Sequence, residues 1–235
     1  MPRFIFHAHA HALAGFLRKP LQQHLGPHCA CVLATVGGRA VSRSGPFRLQ
    51  DSATARLLIG FDEAEAALEG LQLQGRERRT QVRVTLRGLS VLDVLRAGEV
   101  TAMLAVTHRG DNVVEMDTSG SGFRGLTLGG KPLDVQLDHV LAREASDYAQ
   151  FRRAHPELPE TRGITRHSLA RSPLLQFQPW EPGFMDEQGF GRVYFCEWSA
   201  APYRQSLIML RLRLGSPAEG ELEIGALEAD GHDYP

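Results

Sequence analysis

Apolar and polar residues alternate along much of this chain, and the period of two places successive side chains on opposite faces of a β-strand. The pattern is clearest at the start. In Phe4 to Leu17, FIFHAHAHALAGFL, the residues His7, His9 and His11 share one face, with Ala8, Ala10 and Ala12 on the other. Thr80 to Arg87, TQVRVTLR, alternates again, with Val82, Val84 and Leu86 inward and Arg83 and Thr85 outward. His28 to Val36 has strand composition, and Gly37-Gly38 can supply the positive φ angles of a hairpin turn into a return strand at Arg39 to Ser44. Ala53 to Phe61 alternates too. The next stretch, FDEAEAALEGL, is ambiguous, because its helix-forming composition coexists with an alternation of alanine and acid that fits a strand. An apolar run from Leu89 to Leu95 then leads through Ala97-Gly98 into a strand at Val100 to Thr107.

Two hairpins are specified by register as well as composition. In GLTLGGKPLDVQL, a turn at Gly129-Gly130 aligns Leu126 with Leu133. Near the end, QSLIMLRLRL and ELEIGAL, folded about Pro217, set Arg213 against Glu221, Arg211 against Glu223, Leu212 against Leu222 and Leu210 against Ile224. Each exposed charge pair contributes only about 0.2–1 kcal/mol, so the pairing selects register more than it stabilises. Between the hairpins, SDYAQFRRAH reads as a short helix capped by Ser146, with Asp147 in its first turn and Arg152, Arg153 and His155 near its end. Pro156 and Pro159 stop it. Ser172 to Gly191 reads as a loop holding Phe177, Trp180, Phe184 and Phe190, either a lid or a contact surface. A strand, RVYFCEW, follows at Arg192 to Trp198. The fold class expected is mainly β: an antiparallel β-sandwich or distorted barrel with one short helix near 146–155. It forms one unit over residues 1–235, open to an elaboration from about 139 onward.

The succession TLRGLSVLDVLRAGEVTAMLAVTHRG, a Ser/Gly-rich bridge and GFRGLTLGGKPLDV resembles the core of the choice-of-anchor P domains, a family of bacterial surface-associated proteins. The resemblance covers roughly residues 80–137. It implies an all-β module and carries over no functional residues, since the matching positions are scaffold positions. The chain departs from that family in showing no export signal or anchoring segment.

Composition narrows the partners. With 43% hydrophobic and 23% charged residues and a formal net charge of -1, the chain has no general attraction to nucleic acid or anionic lipid. The average conceals an asymmetry. Before Leu57 the bases Arg3, Arg18, Lys19, Arg39, Arg43, Arg48 and Arg56 face the single acid Asp51, whereas after Arg213 there are acids and no Lys or Arg. Opposite ends of the chain are thus expected to attract, within a subunit or between subunits. Three cysteines, Cys29, Cys31 and Cys196, do not make a disulfide framework and favour a reducing compartment. Imidazoles interrupt the N-terminal apolar stretch, which rules against a signal peptide, and no apolar run reaches membrane-spanning length. The expectation is a cytoplasmic protein without membrane insertion, with display at the cell surface by a non-classical route as the alternative.

Candidate chemistry centres on His7, His9 and His11. Successive members of the row stand about 7 Å apart, and two alternate histidines can share a zinc ion if a neighbouring strand adds a nitrogen, sulfur or carboxylate. His24, His28, Cys29 and Cys31 are the candidates nearby. The competing reading is a polar strand face that happens to use imidazole. Cys29 and Cys31 suit either a soft metal or simple burial. GSGFRG matches a dinucleotide fingerprint in spacing but is followed by a hairpin strand, and it reads as a turn. Asp230, His232 and Asp233 read as a solvated polar end.

Two functions remain. The first is a non-enzymatic structural or interaction protein that self-associates into a homo-oligomer through sheet edges and the aromatic group Phe177, Trp180, Phe184 and Phe190, with no cofactor. The alternative is a zinc-dependent hydrolytic enzyme built on His7, His9 and His11.

Overall fold

The computed structural model describes residues 3–75, 77–109, 113–178, 181–201, 204–216 and 218–234. Among them the chain forms two large antiparallel sheets that enclose one hydrophobic core. In the first sheet the strands lie in the order Ile164–Ser168, Gly191–Ala201, Arg204–Leu214, Gly220–Tyr234, Arg3–Leu17 and Gln23–His28. The first and last strands of the chain are therefore neighbours, and Lys19 reaches Glu219 at 2.8 Å. The expected attraction between basic and acidic ends operates within one chain. In the second sheet, Gly38–Ser44 and Phe47–Gln50 form one edge. Leu57–Phe61 with Glu63–Gln72, then Glu77–Val91, then Leu95–Arg109 follow in order. The sheets meet face to face: the Thr80 hydroxyl donates to the Asp230 carbonyl at 3.2 Å, and the Phe123 and Phe195 rings lie 6.4 Å apart. The expected mainly β sandwich is what forms, and it is not closed into a barrel.

Each sheet is creased along one row of residues. On strand 77–91 the buried side chains are Val82, Val84 and Leu86 before Gly88 but Leu89 and Val91 after it, so the inward parity switches from even to odd. The neighbours switch in the same place. The pairs on either side put Asp62 and Gly98 opposite Gly88, and Gly125 opposite Gly98. In the first sheet the corresponding row is Cys29, Ala12, Gly225, Met209 and Cys196. Strand 3–17 buries Ala8, Ala10 and Ala12, then Leu13 and Leu17; strand 191–201 buries Val193 and Phe195, then Trp198 and Ala200. Positive φ falls on every second strand of each row: Cys29 (53°), Gly225 (63°) and Cys196 (50°) in one, Gly88 (66°) and Gly125 (60°) in the other. A residue in the left-handed region turns the next side chain to the face that strict alternation would deny it.

Several sequence expectations hold at residue level. Strand 204–214 pairs with strand 220–234 so that Arg213 meets Glu221, Arg211 meets Glu223, Leu212 meets Leu222 and Leu210 meets Ile224. Pro217, placed at the centre of that hairpin, lies outside the described residues. The Gly129-Gly130 turn also forms, with the Leu133 amide donating to the Leu126 carbonyl at 2.9 Å. The ambiguous FDEAEAALEGL is a strand, in which Ala64, Ala66 and Leu68 are buried.

Others are corrected. Gly37-Gly38 does not close a hairpin: strand 38–44 pairs with strand 63–72, which sets Ala40 opposite Leu68, while Cys31–Val32 pairs with strand 3–17. The long hairpin in the second sheet turns at Leu92-Asp93, both at positive φ, inside the run Leu89 to Leu95 that reads as one apolar stretch in the sequence. The Leu92 amide donates to the Leu58 carbonyl at 2.8 Å and its side chain is buried, so packing offsets an unfavourable backbone. Helix Tyr148–Ala154 is capped by Asp147 rather than Ser146, through the Gln150 amide at 2.9 Å. A second helix, His139–Glu144, is capped by Asp138. The stretch 172–191 read as loop contains strands Gln176–Gln178 and Glu181–Glu187.

Candidate functional site

The histidine row lies on the outer face of the first sheet, as its alternation with buried alanines requires. Register places His7 opposite Asp230 and His9 opposite Glu228; on the next strand Arg204 stands opposite Asp230 and Ser206 opposite Glu228. Glu228 is the centre of this group. Its side chain is only 7% exposed although it sits on the outer face, because His7, His9 and Arg204 close over it. Arg204 donates to Oε2 from Nε at 2.7 Å and from Nη2 at 2.5 Å. These charge-assisted bonds offset the cost of burying the carboxylate. Oε1 is left between His7 Nδ1 at 3.8 Å and His9 Nδ1 at 4.0 Å, and the two rings meet edge to face at 6.1 Å. His11 Nε2 lies 3.7 Å from Glu223 Oε2.

Burial holds the His9 imidazole below its ordinary pKa, against the pull of Glu228. Burial also pushes the Asp230 carboxyl up to about 6, although it accepts the Gly231 amide at 2.5 Å. Between about pH 4 and 6 the folded chain keeps a proton on Asp230 that an unfolded chain has released, so stability falls as pH rises through that window. Asp230→Asn is expected to abolish this fall. Urea unfolding of the variant should show greater stability than the unsubstituted chain at neutral pH and equal stability near pH 4; a parallel offset at both values would show that burial of the charge is not the cause.

The candidate third ligands do not join the row. Cys31 lies opposite Ala10 and shares its parity, so the residue beside His9 on that side is Val32. Cys29 is buried with its thiol donating to the Ser42 carbonyl at 3.2 Å. His28 packs 4.2 Å from the Phe47 ring, where burial lowers its pKa, and His24 pairs with Phe16 beyond the crease. Among the described residues no group of three or more His, Cys, Asp or Glu side chains is placed to hold a metal ion. The residues that sequence reasoning missed are Glu228 and Arg204. The signal available was the acidic C-terminal end set against the basic N-terminal one, but it named no register.

The aromatic group is divided. Phe184 and Phe190 are fully buried in the chain's own packing, which corrects their assignment to an exposed surface. Phe184 lies 5.7 Å from Tyr194 with the Arg192 guanidinium 4.0 Å above its ring. Trp180 lies outside the described residues. Phe177 remains outside, 55% exposed, stacked at 6.3 Å on His167 and passing over Gly183. Leu174, three residues earlier, is also 55% exposed. It borders an open groove of about 590 Å³ whose walls include Pro132, Asp134, Gln136 and Pro173. A smaller depression of about 270 Å³ on the outer face of the second sheet is lined by charges that neutralise one another, with Arg43 on Glu65 at 2.6 Å and Arg87 on Glu63 at 2.9 Å.

Among the described residues no helix is long and apolar enough to cross a membrane. No curated protein and no solved structure matches the chain. Residues 4–176, more than half of its length, match the family model described as a domain of unknown function (DUF8256), and the protein belongs to that family.

Proposed function

We propose that this protein is a non-enzymatic structural or interaction protein that self-associates into a homo-oligomer. The observation carrying this reading is the pair Leu174 and Phe177, two large apolar side chains left half in water within four residues of each other. Single exposed apolar residues are ordinary on a protein surface, but a pair beside an open groove is the composition of a contact. The resemblance of residues 80–137 to choice-of-anchor P domains supports the same reading, since that stretch supplies framework strands and no convergent polar set. The zinc-dependent alternative rests on His7, His9 and His11, and the geometry favours it less: the strand on one side offers them Val32, and on the other the Glu228 carboxylate is held by Arg204.

Native mass spectrometry of the untagged chain tests both readings in one spectrum. The expected result at micromolar concentration is a metal-free multiple of 25.9 kDa. A monomer would overturn self-association, and a monomer carrying one zinc-sized mass per chain would establish the alternative.

A further inference from the structure

We infer that His155 is a proton-operated clasp between the two helices, closed while its ring carries a proton on each nitrogen and loosened when one of them leaves. His155 ends helix 148–154, where its own amide donates to the Phe151 carbonyl at 2.9 Å. From there the ring reaches in two directions. Its Nε2 stands 2.8 Å from Oε2 of Glu144, the last residue of helix 139–144, and its Nδ1 stands 3.4 Å from Oε1 of Glu157 in the turn that follows. A neutral imidazole has one N–H and one bare lone pair, so it donates to one of these carboxylates and turns its lone pair on the other. Only the imidazolium, with a donor on each nitrogen, satisfies both.

The surrounding charges keep that form. The Glu144 carboxylate holds the imidazole above its ordinary pKa against the cost of burial, and Glu157 adds to its pull. Arg152, one turn back on the same helix, is occupied elsewhere: it pairs with Glu160 at 2.8 Å and donates to the His155 and Leu158 carbonyls at 3.1 Å each, so it fixes the turn without competing for Glu144 or Glu157. On strand 164–168 the titratable neighbour is His167. Burial holds its pKa down against Asp138 and Glu157, and the charge on His155 acts in the same sense as burial. The Phe151 ring lies 4.9 Å from the imidazole and 5.7 Å from Trp198, which sets the clasp beside the contact between helix 148–154 and the first sheet. The His155 side chain is 25% exposed, so its protons exchange with water.

A histidine whose pKa is raised on folding contributes its full stabilisation below the unfolded value of about 6.5 and loses it as pH rises through the folded value. The clasp is therefore closed in mild acid, where both carboxylates still carry charge, and loosens above neutrality. Loosening frees Glu144 and leaves helix 139–144 to its Asp138 cap and its buried Ala142.

The test takes two readings on the full chain. Proton–nitrogen correlation spectra of the histidine rings, with His155 identified by its loss in His155→Gln, should place the midpoint of its protonation above the ordinary value, and Glu144→Gln should bring that midpoint back down. Hydrogen exchange, corrected for its intrinsic pH dependence, should show amides in 139–158 opening at least about threefold more at about pH 8.5 than at about pH 6, which is half a pKa unit written as an equilibrium ratio. In His155→Gln the same amides should open to one extent at both pH values, while strands 77–91 and 95–109 serve as the unchanged reference. A His155 midpoint at or below the ordinary value would overturn the clasp. So would a rise in opening with pH that persists in His155→Gln, or no rise in the unsubstituted chain.

Discussion

Trp198→Ala is expected to lower the unfolding free energy by about 3–5 kcal/mol, the range for deleting a large aromatic from a packed core. Trp198 is fully buried, is flanked on its sheet by His167 and Leu207, and meets the Phe151 ring edge to face at 5.7 Å. It is the point at which helix 148–154 docks on the first sheet. The substitution removes the transfer free energy of the indole and leaves a cavity that a strand hydrogen-bonded on both sides cannot close. Because a domain of this size has about 5–15 kcal/mol of stability, the loss should be plain in a urea titration. Trp198→Phe should cost far less, since the ring keeps its contact with Phe151 and the buried indole N–H, which has no hydrogen-bond partner among the described residues, disappears. If the two variants lost equal stability, the volume argument would fail.

Gly191→Ala is expected to cost about 3 kcal/mol, against about 1 kcal/mol for Gly189→Ala in the same turn. Both glycines have positive φ, 119° at Gly191 and 72° at Gly189, but only Gly189 faces open space. A Cβ on Gly191 would overlap the Arg213 carbonyl oxygen of the adjoining strand and stand 2.6 Å from the Gly215 nitrogen just past its end, both backbone atoms. No side-chain rotation relieves that overlap, so the hairpin from strand 181–187 into strand 191–201 must shift. Thermal unfolding of the two variants side by side measures the difference; equal costs would mean that the backbone at Gly191 yields.

The elements legible in the sequence were those whose register is fixed by neighbours close in the chain. Strands 204–214 and 220–234 could be aligned because arginines meet glutamates and leucines meet leucines in a single register. The face of the histidine row could be read because alanine alternates with it. Failures occurred where a distant partner decided the outcome. Strand 38–44 chose strand 63–72 over the adjacent 28–36, and Leu92-Asp93 adopts left-handed angles that only the Leu58 carbonyl and the core beneath make tolerable. The buried Glu228 was invisible for the same reason: it reaches His7 and His9 only because the last strand of the chain lies against the first. The family match extends over residues 4–176, which includes the histidines but not Glu228 or Arg204.

The creases bear on any attempt to redesign or recombine this scaffold. A binary pattern written continuously along strand 77–91 would assign Gly88, Ser90 and Leu92 to the same side as Val82, Val84 and Leu86, and would turn Leu89 and Val91 toward water. The molecule follows two opposite codes, one on each side of Gly88, and a redesigned pattern has to change code on the row from Asp62 through Gly88 and Gly98 to Gly125. Deleting or inserting a single residue within one of these strands would invert every side chain from that point as far as the next turn.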